Sequence, residues 1–370
     1  MQTAQALQIP AARLEMLPAL TPLLLDWYDA SKRDLPWRHN VTPYRVWVSE
    51  IMLQQTRVEA VKEHYQRFLA ALPDIPALCA APEDGLLKLW EGLGYYSRVR
   101  NLQKAARVVC RDYGGRLPAS YEALLKLPGF GEYTAGAVAS IAFGIPQPCA
   151  DGNVYRVLSR ILCTRADISL SPVKAAFRQC AASMVPGLRP GDFNQSMMEL
   201  GATVCLPNAE PLCGQCPVGE HCAALNRGCA GELPVKAAKK PRRIEQRTVL
   251  VVVAGGKVLL QRREYGGLLA GMFAPPHPEG HLDSGQVKAW VEKLGGICHQ
   301  TLPLRHAKHL FSHVEWRMRG FLVRAHTPFP LEEGVWANAE ELTRNYALPS
   351  AFSAYTKDLP LWLARENTDG

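Results

Sequence analysis

No part of this chain is a clean membrane span. The longest run without a charge, Tyr133–Ala150, is 18 residues long and holds Gly136, Gly144, Pro146 and Pro148. That pattern suits a buried helix ending near Gly144 better than a segment crossing a bilayer. The leucines of Leu17–Leu25 follow Arg13 and Glu15, are interrupted by Pro18 and Pro22, and have no basic start. A secretory signal is therefore not expected. Low-complexity tracts and short-period repeats are also missing. So is any even excess of one charge: the net charge is +8, but residues 236–247 hold six basic and one acidic side chain, against 23 and 21 before them and 13 and 12 after. The excess is one short run, which reads as a solvated linker.

What is present fits a soluble multidomain protein. A chain of 370 residues, 48% hydrophobic and 21% charged, suggests two or three domains. Of eleven cysteines, seven are scattered and four are close together: Cys205, Cys213, Cys216 and Cys222. With no export signal, a reducing compartment is the default, and clustered thiols there point to metal. The spacing C-x7-C-x2-C-x5-C sits in a Pro/Gly-rich, loop-like stretch. It could close a tetrahedral zinc site or hold an iron–sulfur cluster, and spacing alone does not decide.

Residues 20–230 read mostly as helices. Apolar residues recur at helical spacing from Val46 to Ala71, ending at Pro73. Shorter helical patterns occupy Glu83–Trp90, Arg98–Tyr113, Tyr121–Leu127 and Phe193–Val204. After Thr248 the period changes. VLVVVA, Gly255-Gly256 and KVLLQR form a hairpin pattern, Phe311–Arg324 alternates as a strand, and Gln286–Leu294 reads as a helix. A helical front part thus joins a mixed α/β back part through the basic run. A second basic stretch, Arg98–Arg116, has six basic residues and one acidic and follows the aromatics Tyr95 and Tyr96. That combination suits nucleic acid, though an exposed helix would read the same way.

Three motifs carry chemistry. In VWVSEIMLQQT, Glu50 sits among Val46, Trp47, Val48, Ile51, Met52 and Leu53. An ionised carboxylate there loses hydration, which is unfavourable without compensation. In LPGFGEYTAG, Gly129 and Gly131 flank Phe130 just before a helix starting near Glu132 or Tyr133. This is either an inter-helix turn or a place where phosphate approaches backbone N–H groups. Fifteen residues past Gly136 comes DGNVYRVLSR, where Asp151 reads as a helix N-cap, a role that leaves room for a second one.

Together, in this order, LPGFGEYTAG, Asp151 in DGNV and the four-cysteine loop resemble the helix–hairpin–helix DNA glycosylases of the endonuclease III superfamily. SEIMLQQT, GLGYYSRVRN and the long β-containing C-terminal part are similar, within it, to the MutY-type adenine DNA glycosylases. The resemblance covers nearly the whole chain and is densest over 35–222. It implies a multidomain protein: an all-α helix–hairpin–helix core, made of a six-helix barrel and an iron–sulfur cluster module, followed by an α+β Nudix-like domain. The expected boundaries are 1–34 with 146–235 for the cluster module, 35–145 for the barrel, 236–247 for the linker and 248–370 for the Nudix-like domain.

The resemblance also implies roles. Cys205, Cys213, Cys216 and Cys222 would ligate a [4Fe–4S] cluster, although the first gap is one residue longer than the family's. Gly129 and Gly131 would hold phosphate. Gln54, Gln55 and Tyr95 match positions that wedge into the duplex around an extruded base, and Trp37, Arg38 and Glu199 match stretches lining the adenine pocket. Such enzymes remove adenine opposite 8-oxoguanine. Glu50 would be the acid that protonates a ring nitrogen, its pKa raised by apolar neighbours, by up to ~3–5 units in extreme cases. Asp151, with Asn153 beside it, would stabilise the oxocarbenium-like sugar, as paired carboxylates do in glycosidases. Bifunctional relatives carry a lysine two residues after the second hairpin glycine. Here that residue is Tyr133, which cannot form a Schiff base. The expected enzyme is a monofunctional glycosylase; the alternative is an endonuclease III-like glycosylase/lyase for oxidised pyrimidines.

In the C-terminal part, Phe311, Ser312 and His313 match the family's Phe-Ser-His loop and are the candidate readers of 8-oxoguanine. QVKAWVEKLGG has one glutamate, Glu292, where Nudix hydrolases carry several, so pyrophosphatase activity is not expected. His306, His309 and His313 as metal ligands is a weaker reading, because that spacing suits a helix and the segment reads as a strand. The expected partner is double-stranded DNA with A opposite 8-oxoguanine or G. No membrane partner is expected, and a monomer in the bacterial cytoplasm is the default.

Overall fold

The computed structural model describes residues 2–238 and 241–366. By their packing these divide into two units, 2–80 with 100–238, and 81–99 with 241–366.

The first unit is helical. Helix Pro43–Leu53 is entered through Thr42, whose hydroxyl accepts from the Arg45 N–H at 3.3 Å, with Pro43 at its first position. Every residue from Val46 to Met52 is buried, Glu50 included. The single helix predicted over Val46–Ala71 is two. Pro43–Leu53 ends at Gln54, the chain turns through Gln55 at φ 58°, and a new helix runs Val58–Ala71. A left-handed residue cannot continue a right-handed helix, and the sequence conceals this because apolar residues recur on both sides of the break with no proline or glycine between them.

The hairpin joins helix Tyr121–Leu125 to helix Glu132–Ala137, which runs on as a wider turn over Val138–Ala142. Gly129 has φ 77°, and a Cβ there would stand 2.8 Å from that of Asn101. Conformation and space thus both require glycine. Asp151 caps helix Gly152–Leu162, its side chain accepting from the N–H groups of Asn153 and Val154. Helices Ser171–Met184 and Pro190–Thr203 pack around this one over a core that includes Leu24, Val154, Leu158, Phe177, Phe193 and Met197.

The second unit holds a mixed sheet ordered β3-β2-β1-β5-β4, with β6 also paired to β2. β1 is Arg243–Ala254, β2 Lys257–Arg262, β3 Phe273–Ala274, β4 Cys298–Leu310, β5 Val314–Ala325 and β6 Gly334–Ala337. β1 and β5 are parallel, and the other pairs are antiparallel. Val249, Val251 and Val253 face one core with Phe352, Tyr355 and Leu359. Leu250, Val252 and Ala254 face the other, with Val287 and Val291 of helix Ser284–Lys293. Cover on both faces explains why VLVVVA is continuously apolar. β1 begins at Arg243, inside the basic run read as linker, because Glu245 there is paired with Arg243 and Arg247 and accepts from Trp316 Nε1 at 2.9 Å. His306 and His309 lie on β4, as a strand.

Candidate active site

A cavity of about 360 Å³ in the helical unit collects most of the predicted site residues. Glu50, Tyr133, Asp151, Asn153, Trp37, Arg38, Glu199, Gln54 and Gln55 all line it. Glu50 reaches it from the last turn of helix Pro43–Leu53, Tyr133 from the first turn after the hairpin, and Asp151 from the cap of helix Gly152–Leu162.

Glu50 is 6% exposed. Burial raises its carboxyl to about 7; the Tyr133 hydrogen bond works against this and the charge of Asp151 adds to it. The Tyr133 hydroxyl stands 2.5 Å from Glu50 Oε2 and 3.3 Å from Met198 Sδ. Burial, then the charge of Glu50, push this phenol well above its ordinary range, so it stays a neutral donor.

Asp151 is oriented on both oxygens. Oδ1 accepts from the backbone N–H groups of Asn153 and Val154 at 2.9 Å each, and Oδ2 accepts from Asn153 Nδ2 at 2.8 Å. Burial raises its carboxyl, and these donors hold the rise back. Asn153 is fixed in turn: its Oδ1 accepts from Arg156 Nη2 at 2.8 Å. Gly201 brings helix Pro190–Thr203 against it so closely that a Cβ would stand 2.6 Å from that of Asn153.

The far wall is an ionic clamp. Glu199, 2% exposed, accepts from Arg33 Nε at 2.7 Å, Arg33 Nη2 at 2.9 Å, the Arg33 backbone N–H at 3.0 Å and Arg38 Nη2 at 2.8 Å. Burial alone would raise this carboxyl; the two arginines outweigh it and bring it down to about 2. One cavity therefore holds a carboxyl poised near neutrality, a second raised from its usual range, and a third firmly ionised and spoken for. Carboxyls driven apart in this way within one cavity are what acid–base chemistry requires of a site.

Arg33, Gln195 and Met198 complete this wall and were not anticipated. An arginine in the polar stretch KRDLPWR reads as surface charge, and nothing local shows that it faces Glu199. Gln54 Nε2 donates to Thr134 Oγ1 at 3.4 Å, tying the break after Glu50 to the helix after the hairpin.

Tyr95 and the predicted 8-oxoguanine readers come together in the other unit. Phe311, Ser312 and His313 form the turn between β4 and β5, closed by Phe311 N–H to the Val314 carbonyl at 2.8 Å. Phe311 packs edge-on against Trp316 at 4.8 Å and His309 at 4.7 Å, while Ser312 and His313 are exposed. Ser312 Oγ lies 3.4 Å from the Tyr95 hydroxyl. Tyr95 is 50% exposed, at φ 46°, with the Arg98 guanidinium 5.8 Å from its ring centre. Lysine and glutamate pair at Lys288 and Glu292 on helix Ser284–Lys293.

Cys205, Cys213, Cys216 and Cys222 line one apolar cavity against Val157, Ile161 and Leu200. Burial pushes the Cys216 thiol up to about 11 and raises Cys213 and Cys222. Thiols so placed ionise only against a positive centre. Arg160 Nη1 donates to Cys205 Sγ at 3.1 Å, and Cys222 Sγ lies 3.4 Å from the Arg160 carbonyl. Among the described residues no three or more His, Cys, Asp or Glu side chains are grouped as a single ion requires. Four thiols sharing one apolar cavity are a donor set whose soft sulfurs suit zinc or an iron–sulfur cluster.

Residues 48–182 match the model of the HhH-GPD superfamily base excision DNA repair proteins, and 248–358 match a NUDIX domain. The adenine DNA glycosylase of Rattus norvegicus is 38% identical over 89% of this chain and 75% of its own length, and that of Homo sapiens 37% identical over 82% and 67%. The adenine DNA glycosylase of Buchnera aphidicola subsp. Baizongia pistaciae is 32% identical over 79% and 82%. Among solved structures, a thermostable thymine-DNA glycosylase aligns at a TM-score of 0.51 with 30% identity, over 58% of this chain and 98% of its own. A trapped endonuclease III–DNA covalent intermediate aligns at 0.50 with 22% identity, over 58% and 98%, and shares the fold.

Proposed function

The chain belongs to the adenine DNA glycosylases, and from that premise we propose that it hydrolyses the bond between deoxyribose and an adenine paired with 8-oxoguanine or G. The observation that carries this reading is the buried Glu50, raised to about 7, facing Asp151 across one cavity.

Adenine must leave the stack, at about a few kcal/mol. Gln54 and Gln55, at the break between two helices, fill the space it vacates, and the exposed Tyr95 of the other unit is a further candidate to wedge into the duplex. The Arg33–Glu199–Arg38 clamp and Trp37 form a rigid wall for the base. Glu50 in its acid form gives its proton to a ring nitrogen, so the leaving group departs neutral. As the bond lengthens the sugar becomes cationic, and Asp151, held by Asn153 and two backbone N–H groups, stabilises that charge. Glu50, now a carboxylate, draws a proton from the incoming water. Tyr133 keeps the Glu50 carboxyl aimed.

Tyr133 offers no amine, so the sugar is not captured as an imine and the strand is not cut. On the opposite strand Ser312, with Phe311 and His313, discriminates 8-oxoguanine from G, since a hydroxyl can meet the groups by which they differ. Gly129 and Gly131 leave backbone room for a phosphate. Cys205, Cys213, Cys216 and Cys222 would hold a [4Fe–4S] cluster, which when bound supplies a cross-link for a loop with little apolar content. The roles divide accordingly: the helical unit, 2–80 with 100–238, does the chemistry, and the sheet unit, whose β1 takes in the end of the 236–247 run, reads the opposite base.

The test uses duplexes with A opposite 8-oxoguanine, A opposite G, or thymine glycol, each treated with alkali after incubation. Adenine-site cleavage only after alkali supports the proposal. Release of thymine glycol but not adenine, or a borohydride-trapped adduct through a lysine, overturns it.

A further inference from the structure

Two cysteines outside the four-cysteine loop stand in contact. Cys163 Sγ and Cys229 Sγ are 3.3 Å apart, and both residues are partly exposed. Sulfurs in a disulfide lie about 2.0 Å apart, so the two thiols already stand little more than about 1 Å beyond bonding distance.

Their places in the chain give the contact a meaning. Cys163 ends helix Gly152–Leu162, the helix that Asp151 starts, and has φ 51° and ψ 50°. A helix end in that conformation favours glycine, and a side chain there is held at a cost of about 1 kcal/mol or more. The sulfur is thus kept where the backbone would prefer none. Cys229 follows the last cysteine of the loop and packs beside Cys222, Ala224 and Leu233, as Cys163 does. Arg227 reaches Cys163 Sγ at 3.8 Å, putting a cation where an attacking sulfur carries negative charge. A bond between 163 and 229 would enclose Cys205, Cys213, Cys216 and Cys222 in one covalent loop.

We propose that Cys163 and Cys229 are an oxidation site, closed to a disulfide by low-molecular-weight disulfides, which staples the cysteine loop to the end of the helix that positions Asp151. The Cys163 thiolate attacks the small disulfide, forming a mixed disulfide and releasing one small thiolate. Cys229 then attacks the Cys163 sulfur and expels the second. The two protein thiols lose two electrons and two protons, and the small disulfide takes both up as two thiols. The site goes beyond base excision and does not rest on the function proposed above.

The test treats the full-length protein as purified with oxidised glutathione, then quenches with acid and maps peptides without reduction. The expected product joins the peptides containing Cys163 and Cys229, with the loss of two hydrogens in intact mass. The oxidised protein should melt roughly 5–10 °C higher than after mild reduction. Both changes should vanish in Cys163→Ser and, separately, in Cys229→Ser. Glutathione left on Cys163 without closure, Cys163 found joined to any other sulfur, or both thiols recovered unmodified would each overturn the proposal.

Discussion

At the scale of single residues the site is held together by one carboxyl that is uncomfortable when charged. Glu50 ionises near 4.5 in an unfolded chain and at about 7 in the fold, chiefly because it is buried. Between those values the native state binds the proton more tightly than the unfolded state does. Stability from this group is full below the lower value and is lost as pH rises through the upper. Replacing Glu50 with Gln removes that loss. The variant should be more stable than wild type by roughly 1–3 kcal/mol at pH 8 and indistinguishable near pH 4, as measured by urea unfolding at both. Equal stability at pH 8 would show that Glu50 is not strained. This tension was legible in the sequence, since a glutamate among Val46, Trp47, Val48, Ile51, Met52 and Leu53 invites the question. The partnership of Glu199 with Arg33 was not, because it joins residues 166 positions apart and neither neighbourhood names the other.

At the scale of elements, the site depends on how closely helices approach. Gly201 lets helix Pro190–Thr203 touch Asn153, which holds Asp151. A methyl group there must displace Asn153 at its backbone end. Gly201→Ala should cost roughly 1–3 kcal/mol of stability, as overpacking does. It should lower the excision rate by more than tenfold, because the second carboxylate loses its aim; a single-turnover assay beside a melting curve separates the two effects. An unchanged rate in a folded variant would mean that Asn153 does not position Asp151. Of the two glycines that mark the hairpin, Gly129 was readable because its positive φ and the nearby Asn101 leave room for nothing larger, whereas Gly131 has extended backbone and open space around it. The break at Gln54–Arg57 was hidden, because apolar spacing reports which face is buried and not whether the backbone is continuous. The strand over Arg243–Arg247 was hidden for a related reason: its charges are satisfied by one another, and in sequence they read as solvent-facing.

At the scale of the molecule, the proposed function assigns chemistry and recognition to different units. Ser312 lies on a turn of the sheet unit and Glu50 on a helix of the other. Ser312→Ala should therefore reduce the preference for A opposite 8-oxoguanine over A opposite G by several-fold, leaving the rate on A opposite G nearly unchanged. Preference is read as the ratio of single-turnover rates on the two duplexes, and a ratio equal to wild type would move the reader elsewhere. The division into a helical part and an α/β part was plain from the change of period after Thr248. The association of residues 81–99 with the second unit was not, since it rests on long-range packing that periodicity does not encode. The account as a whole turns on proton delivery by Glu50, and the most direct measurement is the single-turnover rate of adenine release from A opposite 8-oxoguanine as a function of pH. The rate should be flat in acid, fall tenfold per pH unit above a midpoint near 7, and be lost at every pH in Glu50→Gln. A rate that stays level past pH 9, or a Glu50→Gln enzyme that still frees adenine at the wild-type rate, would contradict it.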